Sequence, residues 1–169
     1  MPATPQDLFA RFDALGIAHQ TVEHPPLRTV EDSQKLRGEI AGAHVKNLFV
    51  KDKKGRLFLL VAEEEARIDL KKVHELIGAQ GRVSFVMGEK MEDVWGVKPG
   101  AVTPFGAIND KDGLVTVILE ETLMREALIN AHPLVNTMTT GVSRDDLVRF
   151  LEAENHAPRI LAFAGAGAG

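Results

Sequence analysis

Cysteine is absent from the chain, which removes disulfides, thiolate nucleophiles and cysteine-ligated zinc from consideration. Long apolar runs are missing too, and none approaches the ~18–20 residues that span a bilayer. Met1 to Phe9 carries no basic patch followed by an apolar stretch, so no secretory signal is expected and a cytoplasmic protein is the simplest reading. A basic balance is lacking as well: the net charge of −4 argues against a dedicated, tight nucleic-acid binder. Familiar catalytic signatures are also missing. No Gly-x-Ser-x-Gly elbow surrounds Ser33, Ser84 or Ser143. The six histidines include no His-x-x-x-His pair and no metal-like spacing with acidic residues, so no metal is expected. There is neither a Walker loop nor a dinucleotide fingerprint, and no cofactor is expected.

What is present is enough chain for one domain with a proper core. That domain is expected over residues 1–163, followed by a disordered Ala/Gly tail at 164–169. Thr4, Pro5 and Gly16 bracket a first helix with an apolar stripe of Leu8, Phe9, Phe12 and Leu15. His19 to Glu23 reads as a strand before the His24-Pro25-Pro26 break, and Thr29 to Ile40 as a helix with a weak stripe. His44–Val50 and Arg56–Ala62 form a hairpin across a polar, Gly-containing connection. Its second strand is apolar on both faces and so belongs in the middle of a sheet. Helices follow at Asp69–Ile77 and Glu89–Trp95, with a strand at Val83–Val86 between them. Strands are expected at Thr103–Ile108, Leu114–Leu119 and Ala127–Ala131. A capped helix at Ser143–Glu154 and a strand at Arg159–Phe163 close the chain. Hairpins mixed with helices, rather than strict alternation, favour an α+β architecture with a mixed sheet.

Three short segments carry candidate chemistry. Lys46 stands on a strand with apolar neighbours on both faces, sharing its side with Leu48 and Val50 while Val45, Asn47 and Phe49 take the other. Its ammonium either snorkels to water from a strand end or sits at a pocket mouth and donates to a phosphate or carbonyl oxygen. The loop Gly100-Ala101-Val102-Thr103-Pro104 is either a plain turn or a close approach that offers backbone N–H groups to a carbonyl oxygen. His132, held extended by Pro133, is either a hydrogen-bonded turn residue or a group that orients a hydroxyl or a water near neutral pH. Asn136 and Thr139 fit the role of tying this loop down. Lys51, Lys53 and Lys54, opposed only by Asp52, make either a solvated hairpin tip or a small basic patch that meets a few phosphates with salt-sensitive affinity.

In order, these segments are His44-Val45-Lys46-Asn47-Leu48-Phe49-Val50, Gly100 to Gly106, and His132 to Thr140. Asp146-Leu147-Val148-Arg149-Phe150-Leu151 and His156-Ala157-Pro158 follow them. The set, running from about Pro5 to Phe163, resembles the YbaK-like superfamily of aminoacyl-tRNA editing domains. Within it the match is to the free-standing prolyl-tRNA editing branch, the ProX or Ala-tRNA(Pro) deacylase group. The resemblance implies a single compact α/β domain with a curved mixed sheet flanked by helices. It implies hydrolysis, in trans, of the ester between a wrong amino acid and tRNA(Pro), with alanine the expected amino acid because binding alone cannot exclude a smaller side chain. It assigns Lys46, Gly100 and His132 to catalysis and Asn47, Ala101, Val102, Thr103, Pro104 and Asn136 to substrate binding. Lys51, Lys53, Lys54 and Arg82 become candidates for the tRNA acceptor stem, and the Thr29–Ile40 helix a candidate lid. Water attacks without a covalent intermediate, positioned by His132 or by the substrate's own ribose hydroxyl. The partners implied are mischarged tRNA(Pro) and, transiently, prolyl-tRNA synthetase, with no membrane and a monomeric protein. The alternatives are the same fold acting on Cys-, Ser- or Thr-charged tRNA, a non-catalytic tRNA- or synthetase-binding module, and an unrelated small-molecule hydrolase.

Overall fold

Thr4 starts the first helix through a reciprocal cap: its hydroxyl accepts from the Asp7 amide at 3.1 Å, and the Asp7 carboxylate accepts from the Thr4 amide at 2.9 Å. Helix α1 (Pro5–Leu15) then buries Leu8 and Phe12 and stops at Gly16. The computed structural model describes residues 2–26, 31, 32, 35 and 40–164. Most of the expected Thr29–Ile40 helix therefore lies outside the described residues, though Glu31, Asp32 and Lys35 are helical. Residues 165–169 of the Ala/Gly tail lie outside as well. The amides of Phe163 and Ala164 both donate to the buried Glu120 carboxylate at 2.7 Å.

The strands are β1 (Gln20–Glu23), β2 (Ala43–Lys51), β3 (Leu57–Glu63), β4 (Ser84–Phe85), β5 (Val115–Glu120), β6 (Leu128–Ala131), β7 (Met138–Ser143) and β8 (Arg159–Leu161). They form one mixed sheet in the order β1-β7-β6-β2-β3-β5-β8, with the short β4 also paired to β2. The expected mixed sheet with flanking helices is thus present. β3 lies in the middle, as its apolar run implies. Leu57, Leu59 and Val61 enter the core on one face, while Phe58, Leu60 and Ala62 enter the core on the other. Helices α1, α3 (Glu89–Trp95) and α4 (Arg144–Ala153) pack on the first face, and α2 (Val73–Ile77) on the second.

Three expectations are corrected. Thr103–Ile108 is not a strand but a 3-10 helix, Pro104–Asn109. Pro104 supplies a helical φ and lacks an N–H in the first turn, and the Thr103 hydroxyl caps the Phe105 amide at 3.3 Å. The helix expected from Asp69 begins only at Val73, because the Asp69 carboxylate accepts from the Lys71 amide and holds a local turn instead. Strand β7 was not expected at all. A Cβ at its interior Gly141 would meet Asn130 Oδ1 at 2.7 Å, so the glycine serves the close approach of β6.

Candidate active site

The geometry of the site follows from one irregularity in the sheet. β2 pairs with β6 in parallel at only two positions, Ala43 with Ile129 and His44 with Asn130, and the strands then part. Farther along the same edge of β2, β4 takes over, with Val50 opposite Phe85 and Lys51 opposite Ser84. Between them an edge of β2 from Val45 to Leu48 has no strand partner among the described residues. The Val86 amide donates to Phe49 O across this edge, so the odd-numbered residues turn their peptide groups toward it. The backbone of Val45 and Asn47 therefore faces the opening.

Continuing the parallel register two residues past the last pair sets Lys46 level with His132. Alternation gives His44, Lys46, Asn130 and His132 one face of the sheet, and Thr139 and Gly141 share it across the antiparallel β6–β7 pair. Lys46 is half-buried and donates from Nζ to the carbonyl oxygen of Ala66, just past β3. It is not at a strand end, so the snorkelling alternative does not describe it. One face over, Asn47 Nδ2 donates to Val102 O at 3.1 Å, which moors the Gly100–Pro104 loop to β2. That bond fixes which side-chain atom is the oxygen, and Asn47 Oδ1 is buried with no partner among the described residues.

The Gly100 loop is a 3-10 turn, Pro99–Ala101, and Gly100 has no need of a positive φ. Its role is spatial, since a Cβ would come to 3.4 Å from Asn136 Nδ2, which brings the His132–Thr137 loop against it. The Ala101 amide donates to Lys98 O at 2.8 Å and is thereby removed from the possible oxyanion donors. Gly100, in the first turn, keeps its amide outside the intrahelical bonds. Thr103 and Pro104 are buried, and Trp95 Nε1 donates to Thr103 O at 2.7 Å.

His132 Nδ1 faces Met138 O at 2.9 Å, so the proton sits on Nδ1 and Nε2 is left as an acceptor. Burial pushes its pKa below the ordinary 6.5, the Met138 bond opposes this, and the nearby His24 and His44 add to the lowering. The loop that follows holds Leu134 at φ 72, a strained value for a residue with a side chain, and burial of that side chain in the core keeps it there. His24 was not anticipated as part of the site. Its ring lies 6.2 Å from that of His132, Nε2 meets Thr139 Oγ1 at 2.8 Å, and its amide donates to Thr137 O. The available signal was the His-Pro dipeptide, which occurs at both His24 and His132. Among the described residues no group of three or more His, Asp or Glu side chains is placed to hold a metal.

The four basic candidates come together at the far end of β2. Asp52 accepts from the amides of Lys54, Arg56 and Gln80 and from Arg56 Nε, all at 2.9–3.0 Å. Burial alone would raise its pKa, but these donors outweigh that and hold it at about 2. Asp52 thus docks the 51–56 turn onto the 78–82 loop. The Lys53 stem lies over Gly81, where a Cβ would meet Lys53 Cδ at 2.5 Å. Lys51, Lys53, Lys54 and Arg82 share this end of the sheet, and Asp52, first seen only as an opposing charge, organises it.

The model of the aminoacyl-tRNA editing domain family matches residues 24–150, a span that contains Lys46, the Gly100 loop and His132. The chain belongs to that family. The prolyl-tRNA editing protein ProX of Acetoanaerobium sticklandii is 34% identical over 152 residues, covering 89% of this chain and 92% of the relative. The prolyl-tRNA synthetase associated domain-containing protein 1 of Danio rerio is 34% identical over 154 residues, covering 88% and 82%. A solved structure described as a proposed trans-editing enzyme for prolyl tRNA synthetase superposes with a TM-score of 0.72 at 18% identity, covering 96% of this chain and 97% of that one, which bears on the fold. Family membership makes the chain an aminoacyl-tRNA deacylase, a hydrolase of the ester that joins amino acid to tRNA.

Proposed function

We propose that this deacylase acts in trans on mischarged tRNA(Pro), with alanine the amino acid removed. The observation that carries the reading is the parting of β2 and β6, which leaves Lys46 and the unprotonated Nε2 of His132 on one face of the opening, with Asn47 mooring the Gly100 loop from the other. The names of the relatives point to prolyl-tRNA, and a smaller side chain is the kind a prolyl synthetase cannot reject by binding alone. Lys46 Nζ, with two hydrogens beyond the one given to Ala66, holds a phosphate or hydroxyl of the terminal nucleotide. Asn47 holds the Gly100 loop against β2 through Val102 O, which fixes where that loop meets the ester. The Gly100 amide polarises the ester carbonyl. Water adds to the carbonyl carbon as its proton passes to His132 Nε2. The C–O bond to the ribose then breaks, and the ribose oxygen takes the proton.

A cavity of about 510 Å³ on the same sheet face, bordered by Gln20, Val22, Asn130, Thr139 and Gly141, has the dimensions of a nucleoside site rather than of a methyl pocket. It is assigned to the terminal adenosine. No helix among the described residues is long and apolar enough to cross a membrane, and the cytoplasm, where charged tRNA resides, is the proposed compartment.

The experiment is release of labelled alanine from Ala-tRNA(Pro) beside Pro-tRNA(Pro), Ala-tRNA(Ala) and the Cys, Ser and Thr esters of tRNA(Pro). Loss of alanine with proline spared supports the reading. Release of cysteine, serine or threonine instead would reassign the substrate, and binding without release would leave a non-catalytic module.

The protonation state of His132 gives a second test. Because neutral imidazole is the working form and its pKa is lowered from 6.5, the acid limb of kcat/KM is expected to have its midpoint below pH 6.5. His24→Gln, which removes a neighbouring positive charge, is expected to move that acid limb upward, by less than burial moves it down. A limb above pH 7 in the wild type would remove His132 from the proton transfer.

A further inference from the structure

Six large apolar side chains are exposed among the described residues: Val22, Leu76, Phe85, Met87, Leu114 and Ile160. Four of them stand singly, which is ordinary for a soluble surface. Phe85 and Met87 do not. They are 48% and 71% exposed, and the Val86 between them is 4% exposed, so alternation presents the two on one side of the chain at β4 and its exit.

The position of this pair is informative. Phe85 is opposite Val50, which puts it on the face that carries Leu48 and Lys46. β4 also closes the far end of the unpaired β2 edge whose near end is closed by the strand leading to His132. Four residues separate Lys46 from Val50, about 13 Å along the strand. That equals roughly four nucleotides stacked at ~3.4 Å each. Just past Phe85, Lys51 pairs with Ser84, and the turn held by Asp52 presents Lys53 and Lys54, with Arg82 beside it. An aromatic and a thioether therefore lie between the ester site and a cluster of cations.

We propose that Phe85, with Met87 beside it, is a stacking platform for the unpaired 3′ end of the tRNA. It carries the strand from the ester at Lys46 and His132 to the basic turn, where the phosphates are met. The proposal rests on the deacylase reading of the opening. Bases of any sequence have a π-face that stacks on phenylalanine, and the flexible methionine fits an irregular neighbour. Lysines and an arginine one step away supply the charge that a nucleic acid needs and an apolar protein surface does not. Two side chains are also far less than the ~1,000 Å² that a stable protein interface buries.

The test uses the whole protein and two substrates, Ala-tRNA(Pro) and 3′-O-alanyl-adenosine, which ends before the platform. Phe85→Ala is expected to raise KM for the tRNA about tenfold with kcat kept, and to leave hydrolysis of alanyl-adenosine unchanged. Phe85→Trp is expected to restore or better the wild-type KM. In parallel, uncharged acceptor-stem RNA with 2-aminopurine as the fourth base from the 3′ end is titrated with wild-type protein and Phe85→Ala. Fluorescence change in the first and none in the second supports stacking. An unchanged KM in Phe85→Ala, or no fluorescence change with the wild type, overturns the platform. So would intact RNA binding alongside lost affinity for prolyl-tRNA synthetase, which would mark the patch as a protein contact. If the wild type hydrolyses neither ester, the deacylase assignment of this opening fails, and the fluorescence titration still decides the platform.

Discussion

Lys46→Ala is expected to lower kcat/KM for the misacylated tRNA by about 100-fold, the scale on which a single charge-stabilising donor contributes. The expectation comes from position. Lys46 lies in the middle of β2 at an unpaired stretch of edge, level with His132, with its ammonium only partly engaged by Ala66 O. The bond to Ala66 also ties down the chain beyond β3, so truncation has a structural component, one hydrogen bond of roughly 1–2 kcal/mol. Lys46→Met keeps a stem of similar length and removes the charge and the Ala66 bond together, so its thermal stability reports whether that bond is structural while its kinetics report the ammonium. Steady-state kinetics and thermal denaturation on both variants read the result. Near-equal losses of activity in Ala and Met, with Met close to wild-type stability, place the effect on the ammonium. A rise in KM alone assigns Lys46 to holding the nucleotide; a fall in kcat assigns it to the transition state. Wild-type turnover in Lys46→Met would leave Lys46 a strut for the Ala66 turn.

What the sequence made legible was local. The cap at Thr4, the two-faced apolar run of β3 and the Lys46 strand all depend on residues adjacent in the chain, and each stands where the pattern puts it. The segment 103–109 was misjudged because Val102, Phe105 and Ile108 look strand-like, whereas Pro104 and the Thr103 cap impose a 3-10 turn. β7 has no such local pattern, and its interior Gly141 finds its reason in the Asn130 side chain on the neighbouring strand. The site shows the same division. Lys46, Asn47, Gly100 and His132 were visible as motifs, and Asn136 as a neighbour of one. That Asn47 reaches Val102, that Asn136 abuts Gly100 and that His24 joins His132 are facts of tertiary pairing with no local signal. Asp52 is the plainest case. In the sequence it is one acid among lysines; in the fold four donors from two loops converge on it.

Gly106→Ala is expected to destabilise the protein by about 3 kcal/mol or more and to abolish most activity, although Gly106 touches no substrate. Its φ is not in the left-handed region, so the glycine is there for space. A Cβ would sit 2.2 Å from Trp95 Nε1 and 2.3 Å from Cδ1, and Trp95 is fully buried, with Phe49 and His156 against its other sides. The indole has nowhere to go without breaking its bond to Thr103 O, and that buried carbonyl then keeps only the longer bond from the Gly106 amide, at 3.2 Å. Thr103 is the residue through which the Gly100 loop is fixed from below, while Asn47 fixes it from above through Val102. Loss of the lower tether lets the loop drift from β2, and a misplacement of about 1 Å is enough to cost ~100-fold in rate. Thermal unfolding should show a midpoint roughly 6–12 °C lower. The decisive comparison is with Trp95→Phe, which removes the Nε1 donor and frees the volume that the new methyl needs. If the clash is the mechanism, the double variant Gly106→Ala/Trp95→Phe is more stable than the sum of the two single changes allows, by at least 1 kcal/mol. Strict additivity, or a Gly106→Ala protein within 1 kcal/mol of wild type, would mean that the Trp95 contact does not hold the loop in place.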